Sequence, residues 1–154
     1  MPQFFWILKK VHWSDTDAAG IVWFPNFFGW FEDAEEEIYV SAIGRTRQSL
    51  LDEHAFAMPR VDATAKYRAP VRAGELIRIG IASTLENPRR LRHDFEMRED
   101  ETHTLLAEGF VRVACVGSAT FTPRDLPDPV PQLPAALSAA AEKQRAGAMV
   151  LPWV

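Results

Sequence analysis

The sequence predicts an α+β domain in which one long apolar helix lies against a single curved, mainly antiparallel sheet. Three observations carry this reading. Phe24, Phe27, Phe28, Phe31, Ala34 and Ile38 recur at spacings of three and four, which is the period of a helix with a wide apolar stripe. Beyond Pro59 the pattern switches to period two and keeps it through several stretches up to Val116. No internal repeat appears, and the order is strand, long helix, short helix, then four strands.

Residues 3–13 read as a first strand, rich in Phe, Trp, Ile and Val. Asp15 to Gly20 form a loop, with Gly20 supplying backbone freedom at a sharp turn. Pro25 fits the first helical turn, where its missing N–H does no harm, and Gly44 is a natural helix end. Trp23 and Trp30 spread the apolar surface around that helix, and Gly29 leaves room for close backbone approach, so the helix suits enclosure by a sheet. Arg47 to His54 form a short second helix. The stretch VDATAKYRAPV sets Ala63, Ala65, Tyr67 and Ala69 against Thr64, Lys66 and Arg68, as a half-buried strand would. Leu76 to Leu85 form the next strand, and ENPRR is a turn. Leu91, His93, Phe95 and Met97 then alternate with Arg92, Asp94, Glu96 and Arg98, and REDETH is the hairpin into a last strand over 105–116.

The chain divides by composition into a domain over 1–117 and a proline-rich extension over 118–154. Prolines at 123, 127, 129, 131 and 134 exclude ordinary sheet or helix there. Residues 134–146 are alanine-rich enough for a terminal helix, and MVLPWV is an apolar tail that either docks or stays exposed.

With 154 residues, 47% of them hydrophobic, the chain supports one sizeable core. A net charge of -4 argues against a nucleic-acid partner. Cys115 is the single cysteine, which excludes an internal disulfide and a cysteine-rich metal site; no other metal-ligand spacing or nucleotide-cofactor fingerprint is present. FFWIL is too short and wrongly flanked for a signal peptide, and no stretch approaches the roughly 18–20 apolar residues of a membrane span. The expected protein is cytoplasmic, with no membrane partner.

The run WSDTDAAGIVWFPNFFGWFEDA concentrates the chemistry. Asp17, one turn before the helix, can act as a general base on water or itself attack an electron-poor carbonyl. The helix start supplies unpaired N–H groups between Phe24 and Phe27 that receive charge developing on a substrate oxygen. Pro25 has no N–H, which leaves Phe24 N–H as the favoured donor. The competing reading is that Asp15 or Asp17 only caps the loop, and Asp15 is the more structural of the two.

The segment DTDAAGIVWFPNFFGWFEDA resembles the signature of hotdog-fold acyl-CoA thioesterases, specifically the 4-hydroxybenzoyl-CoA thioesterase type. The likeness is most specific over Trp13 to Ala34 and extends over about Phe4 to Val116. It implies a hotdog fold, Asp17 as catalytic nucleophile or base, and Phe24 N–H polarising the thioester carbonyl. It also implies that Asn26 holds the loop against the helix start, that Gly20 makes the turn, and that no cofactor or metal is needed. Dimers formed by edge-to-edge sheet pairing, some associating further into tetramers, come with the same resemblance. One departure is that Phe24 and Trp13 stand where many relatives have histidine and tyrosine, which removes any mechanism through an imidazole at that place.

The substrate implied is an acyl-CoA. Arg89, Arg90 and Arg92 are the candidates for its phosphates, with Arg89 and Arg90 favoured by the resemblance and a solvated turn as the plain alternative. Trp13, Gly20, Trp23, Asn26, Phe27, Phe28, Pro59 and Arg60 are the candidates around the acyl group. Arg60 meets an acyl substituent, a phosphate or only an ion-pair partner. The aromatic bulk favours an aryl group over a long flexible chain, with short acyl groups held open. His93 and Cys115 read as interior residues. A non-catalytic acyl-CoA or acyl-carrier binding module, or an acyl-CoA hydratase or dehydratase, is the alternative to hydrolysis.

Overall fold

The computed structural model describes residues 3–154. Strand β1 (Phe5–Lys10) leads through a short 3-10 turn (Trp13–Asp15) and a loop to helix α1 (Asn26–Ile38). Helix α2 (Arg47–His54) and the strands β2 (Phe56–Ala57), β3 (Arg60–Tyr67), β4 (Leu76–Asn87), β5 (Arg90–Glu99), β6 (Leu105–Ala114) and β7 (Val116–Gly117) follow, and helix α3 (Leu133–Arg145) comes last. Five strands form one sheet in the order β1-β4-β5-β6-β3, every neighbour antiparallel.

The alternation in the sequence becomes two sheet faces. On one face Phe5, Ile81 and Phe95 lie in a cross-strand row, with Ile7, Ile79 and Met97 in the next, all buried. Phe27, Trp30, Phe31, Ala34 and Ile38 of α1 are buried in the same core, and Phe31 stacks on Phe95 with ring centroids 4.2 Å apart. Burying an aromatic or branched side chain of this size contributes about 1.5–3 kcal/mol each, so this helix–sheet contact is the main source of the fold.

Several boundaries differ from the sequence reading. The first strand stops at Lys10 and does not reach Trp13, because Asp15 Oδ2 accepts a 2.8 Å hydrogen bond from the His12 N–H and closes the chain into a turn. Before its end at Gly44 the helix widens into a π-type turn (Tyr39–Ile43); Gly44 takes φ 80°, and its N–H donates to the carbonyls of Tyr39 and Val40. The last strand breaks at Cys115, whose N–H turns to the Arg89 carbonyl, and Val116–Gly117 pair instead with Phe56–Ala57 in a separate two-stranded ribbon. Strand β3 is largely exposed where a half-buried strand was expected. It is the sheet edge, with only β6 beside it and a register shift between Arg60 and Asp62.

The apolar tail docks. Leu8 N–H donates to the Pro152 carbonyl at 2.8 Å and Val154 N–H donates to the Leu8 carbonyl at 3.0 Å. The Gln144 side chain pairs with both the N–H and the carbonyl of Trp6, each at 2.8 Å. Leu133, Leu137, Ala140 and Ala141 of α3 are buried in the common core. The outer edge of β1 is thereby covered, which is one way a sheet edge is kept from pairing with another chain. The edge at β3 is left open.

At β6 the chain requires a glycine. A Cβ on Gly109 would lie 2.1 Å from the carbonyl oxygen of Thr64 on β3. Gly109→Ala is expected to cost at least about 1–3 kcal/mol, because backbone blocks the methyl and no side chain can swing aside. A urea melt checks this; an unchanged midpoint would mean that β3 relaxes freely.

Candidate active site

The loop before α1 is a tight turn. Asp17 N–H donates to the Ile21 carbonyl, Gly20 N–H donates to the Asp17 carbonyl, and Gly20 adopts φ 77°. Asp17 Oδ1 accepts from the Ala19 N–H at 2.8 Å, while Oδ2 has no hydrogen-bond partner among the described residues. Asp15 is occupied otherwise. Besides holding His12, its carbonyl accepts from Trp23 N–H at 2.9 Å and from Asn26 Nδ2 at 2.8 Å. Asn26 therefore ties the loop to the helix start.

The first helical turn is wound tightly. The N–H groups of Asn26, Phe27 and Phe28 donate to the carbonyls of Trp23, Phe24 and Pro25, three residues back. The sequence reading left the amides from Phe24 to Phe27 open. The structure leaves only that of Phe24 without a partner in this turn among the described residues, because the tighter i to i-3 bonds use the others. Tyr67 of β3 donates its hydroxyl to the Phe24 carbonyl at 3.0 Å and meets the Phe24 ring edge-on.

Three surface depressions collect the expected residues. One of about 490 Å³ is lined by Trp13, Ser14, Thr16, Asp17, Ala18, Gly20 and Ala73. A second of about 420 Å³ is lined by Phe24, Phe27 and Tyr67 with the flanking segments 21–22 and 68–71. A third of about 310 Å³ lies one turn further along α1, between Phe28, Gly29, Phe31, Glu32 and Glu35 on the helix and Arg60, Ala63 and Val111 on the sheet. Within one chain, Asp17 and Phe24 line different depressions. Trp13 is 84% exposed and Trp23 is exposed beside the Phe24 ring, whereas Phe27, Trp30 and Phe31 are core residues. Pro59 is half-buried, its carbonyl accepting from Ala114 N–H.

Arg60 is held by acids. Its guanidinium pairs with Glu32 and, at 2.7 Å, with Glu35 Oε2. Beneath it lies a charged cluster that the sequence reading did not find. Glu35 is 1% exposed; Arg47 Nη1 lies 3.2 Å and His93 Nε2 3.7 Å from its Oε1, and Ser83 Oγ lies 2.7 Å from His93 Nδ1. In the sequence Glu35 stands among the acids Glu32, Asp33, Glu36 and Glu37. Its phase gave the signal: four residues after Phe31 and three before Ile38, it falls on the apolar stripe. Burial first, and then the charges of Arg60 and Arg47, push the His93 pKa below its ordinary 6.5 against the pull of Glu35 and Asp94, so the imidazole is neutral. Burial would raise the Glu32 carboxyl, yet the Arg47 hydrogen bond and the charges of Arg47 and Arg60 hold it below its usual range.

Of the three arginines proposed for phosphates, Arg89 Nε meets Asp125 at 2.9 Å on the exposed surface. An exposed pair contributes about 0–1 kcal/mol and exchanges readily for another anion. Arg92 is engaged by Asp94 at 2.7 Å and lies 4.1 Å over the Phe110 ring. Arg90 has no ion-pair partner among the described residues. Cys115 is buried, and burial pushes its thiol up. Among the described residues no group of three or more His, Cys, Asp or Glu is placed to hold a metal, and no helix is long and apolar enough to cross a membrane.

The family model described as the thioesterase-like superfamily matches residues 11–140. The chain belongs to this superfamily. A 1,4-dihydroxy-2-naphthoyl-CoA hydrolase of Thermosynechococcus vestitus is 30% identical over 142 residues, covering 88% of this chain and 89% of that protein. An acyl-CoA thioesterase, YbgC, of Haemophilus influenzae is 28% identical over 122 residues, covering 79% of this chain and 87% of that one. The solved structure of a 1,4-dihydroxy-2-naphthoyl-CoA thioesterase from Synechocystis superposes with a TM-score of 0.81 at 26% identity, covering 86% and 96% of the two chains. The superfamily member described above thus has the hotdog fold, its central helix wrapped by the curved antiparallel sheet.

Proposed function

We propose that this thioesterase-superfamily chain hydrolyses an aromatic acyl-CoA thioester to the free acid and CoA. The observation that carries the reading is the amide of Phe24, the one left unpaired at the start of α1 among the described residues, in a chain whose preceding loop presents a carboxylate with one oxygen, Asp17 Oδ2, unengaged among those residues. An amide so placed stabilises the oxyanion formed when the thioester carbonyl is attacked; loss of one such donor costs enzymes about 2.7–4 kcal/mol of transition-state stabilisation. In one route an Asp17 oxygen attacks the carbonyl carbon, the C–S bond breaks, CoA leaves as its thiolate, and water cleaves the resulting mixed anhydride. In the other, Asp17 takes a proton from the water that attacks directly. Oxygen-18 from labelled water appearing in the Asp17 carboxylate after one turnover would mark the first.

The relatives named as hydrolases of a dihydroxynaphthoyl thioester support an aryl substrate and draw the reading toward fused rings rather than the 4-hydroxybenzoyl group alone. A short-chain acyl-CoA is the second reading, supported by the H. influenzae acyl-CoA thioesterase. Thiol release from naphthoyl-, benzoyl-, 4-hydroxybenzoyl- and acetyl-CoA tests the proposal. Turnover on the acetyl ester alone overturns the aryl assignment, and binding without thiol release makes the chain a binding module.

The working unit in this reading is a homodimer, with a tetramer as a further step. The β3 edge is open while the β1 edge is covered by the tail, and a second copy at β3 would add walls to the depressions beside Phe24 and Gly29. Residues 1–117 supply the catalytic elements, and 118–154 act as the strap over β1. No nucleic-acid partner enters, and the compartment is the cytoplasm.

Arg89 and Arg90 are the residues assigned to the CoA phosphates. Replacing both by Ala is expected to raise KM for CoA esters by about tenfold while leaving truncated pantetheine-type thioesters within about twofold, the loss of one or two charge-assisted contacts. Equal effects on both substrates would remove the pair from the nucleotide site.

A further inference from the structure

The Phe24 backbone has a weak local hold on one side. The residue stands just before Pro25 at the start of α1 and is 60% exposed, and chain so placed loosens where few contacts hold it. Its N–H lies in the peptide plane shared with Trp23, whose carbonyl is fixed by Asn26 N–H at 2.9 Å. Its own carbonyl lies in the next plane, shared with Pro25. Phe27 N–H reaches that carbonyl only at 3.3 Å, beyond the range of about 2.7–3.2 Å for an ordinary N–H···O bond.

Tyr67 supplies the missing hold. Its hydroxyl donates to the Phe24 carbonyl at 3.0 Å, and its ring meets those of Phe24 and Phe27 edge-on, with centroids 6.1 and 5.1 Å apart. Among the described residues this is the one hydrogen bond from the sheet to the segment 23–28. Phe24, Phe27 and Tyr67 line the same depression of about 420 Å³. The Tyr67 backbone is set by pairing with Ala107 of β6, and the next N–H, that of Arg68, donates to the Leu106 carbonyl at 2.8 Å. The hydroxyl is therefore presented from a fixed strand end, where a positioning group is more precise than on a loop.

Pro25 makes this role one of orientation. A bond to a carbonyl polarises the N–H of the same peptide plane, but the plane that carries the Phe24 carbonyl ends at Pro25, which has no N–H. We infer that Tyr67 is a positioning residue that grips the carbonyl and ring of Phe24 from β3 and so keeps the Phe24 amide aimed at the substrate oxygen. This rests on the reading of that amide as the donor to the thioester carbonyl. Such a donor is effective because it is fixed before the reaction begins. The loss of one neutral hydrogen bond that fixes it is expected to slow the chemical step about three- to tenfold.

The test is Tyr67→Phe, which removes the hydroxyl and keeps the ring. The readouts are kcat and KM for naphthoyl- and benzoyl-CoA, the thermal melt, assembly size by light scattering, and the order parameter of the Phe24 amide in chain labelled with nitrogen-15 phenylalanine. The expected result is a kcat lowered about three- to tenfold with KM within about twofold. The Phe24 order parameter should fall from about 0.85 toward 0.6 while that of Phe27 holds. Melt and assembly should not move, because Tyr67 is 44% exposed. An unchanged kcat, a loss carried by KM, a loss that follows dissociation of the assembly, or an unchanged Phe24 order parameter each overturns the assignment. If the unmodified chain releases no thiol from any ester, the hydrolase reading fails on its own, and the order parameter still decides whether Tyr67 holds the amide: a fall supports it, and no change sinks it.

Discussion

Asp17→Asn is expected to lower thioester hydrolysis at least about 100-fold while leaving the melting temperature within a degree or two. The substitution preserves the turn, because the amide oxygen still accepts from Ala19 N–H in place of Oδ1. It removes the anion that both proposed routes require of Asp17, as nucleophile in one and as base in the other. The loss should fall in kcat, since the residues proposed to bind the acyl and CoA portions are others. Thiol release with an aryl-CoA, set beside the thermal melt, is the measurement. Turnover by the Asn variant within about tenfold of the unmodified chain would separate Asp17 from the chemistry and leave it a turn residue.

The largest expected effect on stability is at Glu35. Its carboxylate lies at the centre of a buried cluster and faces Arg47 and Arg60 at once, with neutral His93 beside it. Replacing it with Ala leaves a guanidinium from α2 and another from β3 without their buried counter-charge. Breaking a buried pair in this way costs about 3–5 kcal/mol. For a domain of this size that corresponds to a fall in melting temperature of roughly 6–20 °C. Glu35→Gln keeps hydrogen-bond acceptance and should lose less. A melt of Glu35→Ala within a degree of the unmodified chain would show that Glu32 and solvent neutralise the arginines and that the cluster adds nothing net.

The same cluster shows where sequence reasoning stopped. The acids between Glu32 and Glu37 resemble a solvated face, and only helical phase singles out Glu35. Its partners come from residue 47 on α2, residue 60 on β3 and residue 93 on β5, separations that no local pattern encodes. The sequence left Arg60 open between an acyl substituent, a phosphate and an ion-pair partner, and its engagement by Glu32 and Glu35 depended on how β3 lies along α1. The helix-start amides are a second case. The sequence located the turn and excluded Pro25 as a donor, yet whether Asn26 and Phe27 were free depended on how tightly the turn wound.

Local chemistry was therefore determined by the chain itself. Apolar period 3.6 from Phe24 to Ile38, alternation over β5, Gly20 and Gly44 at left-handed positions and Asn26 at the helix start each follow from interactions within a few residues. Tertiary structure decided the rest. It opened β3 as an edge, closed β1 with the tail and set Asp17 and Phe24 in separate depressions. Each of these depends on which surfaces meet across long stretches of chain. Periodicity fixes which face of an element is apolar, but it does not fix what that face will touch.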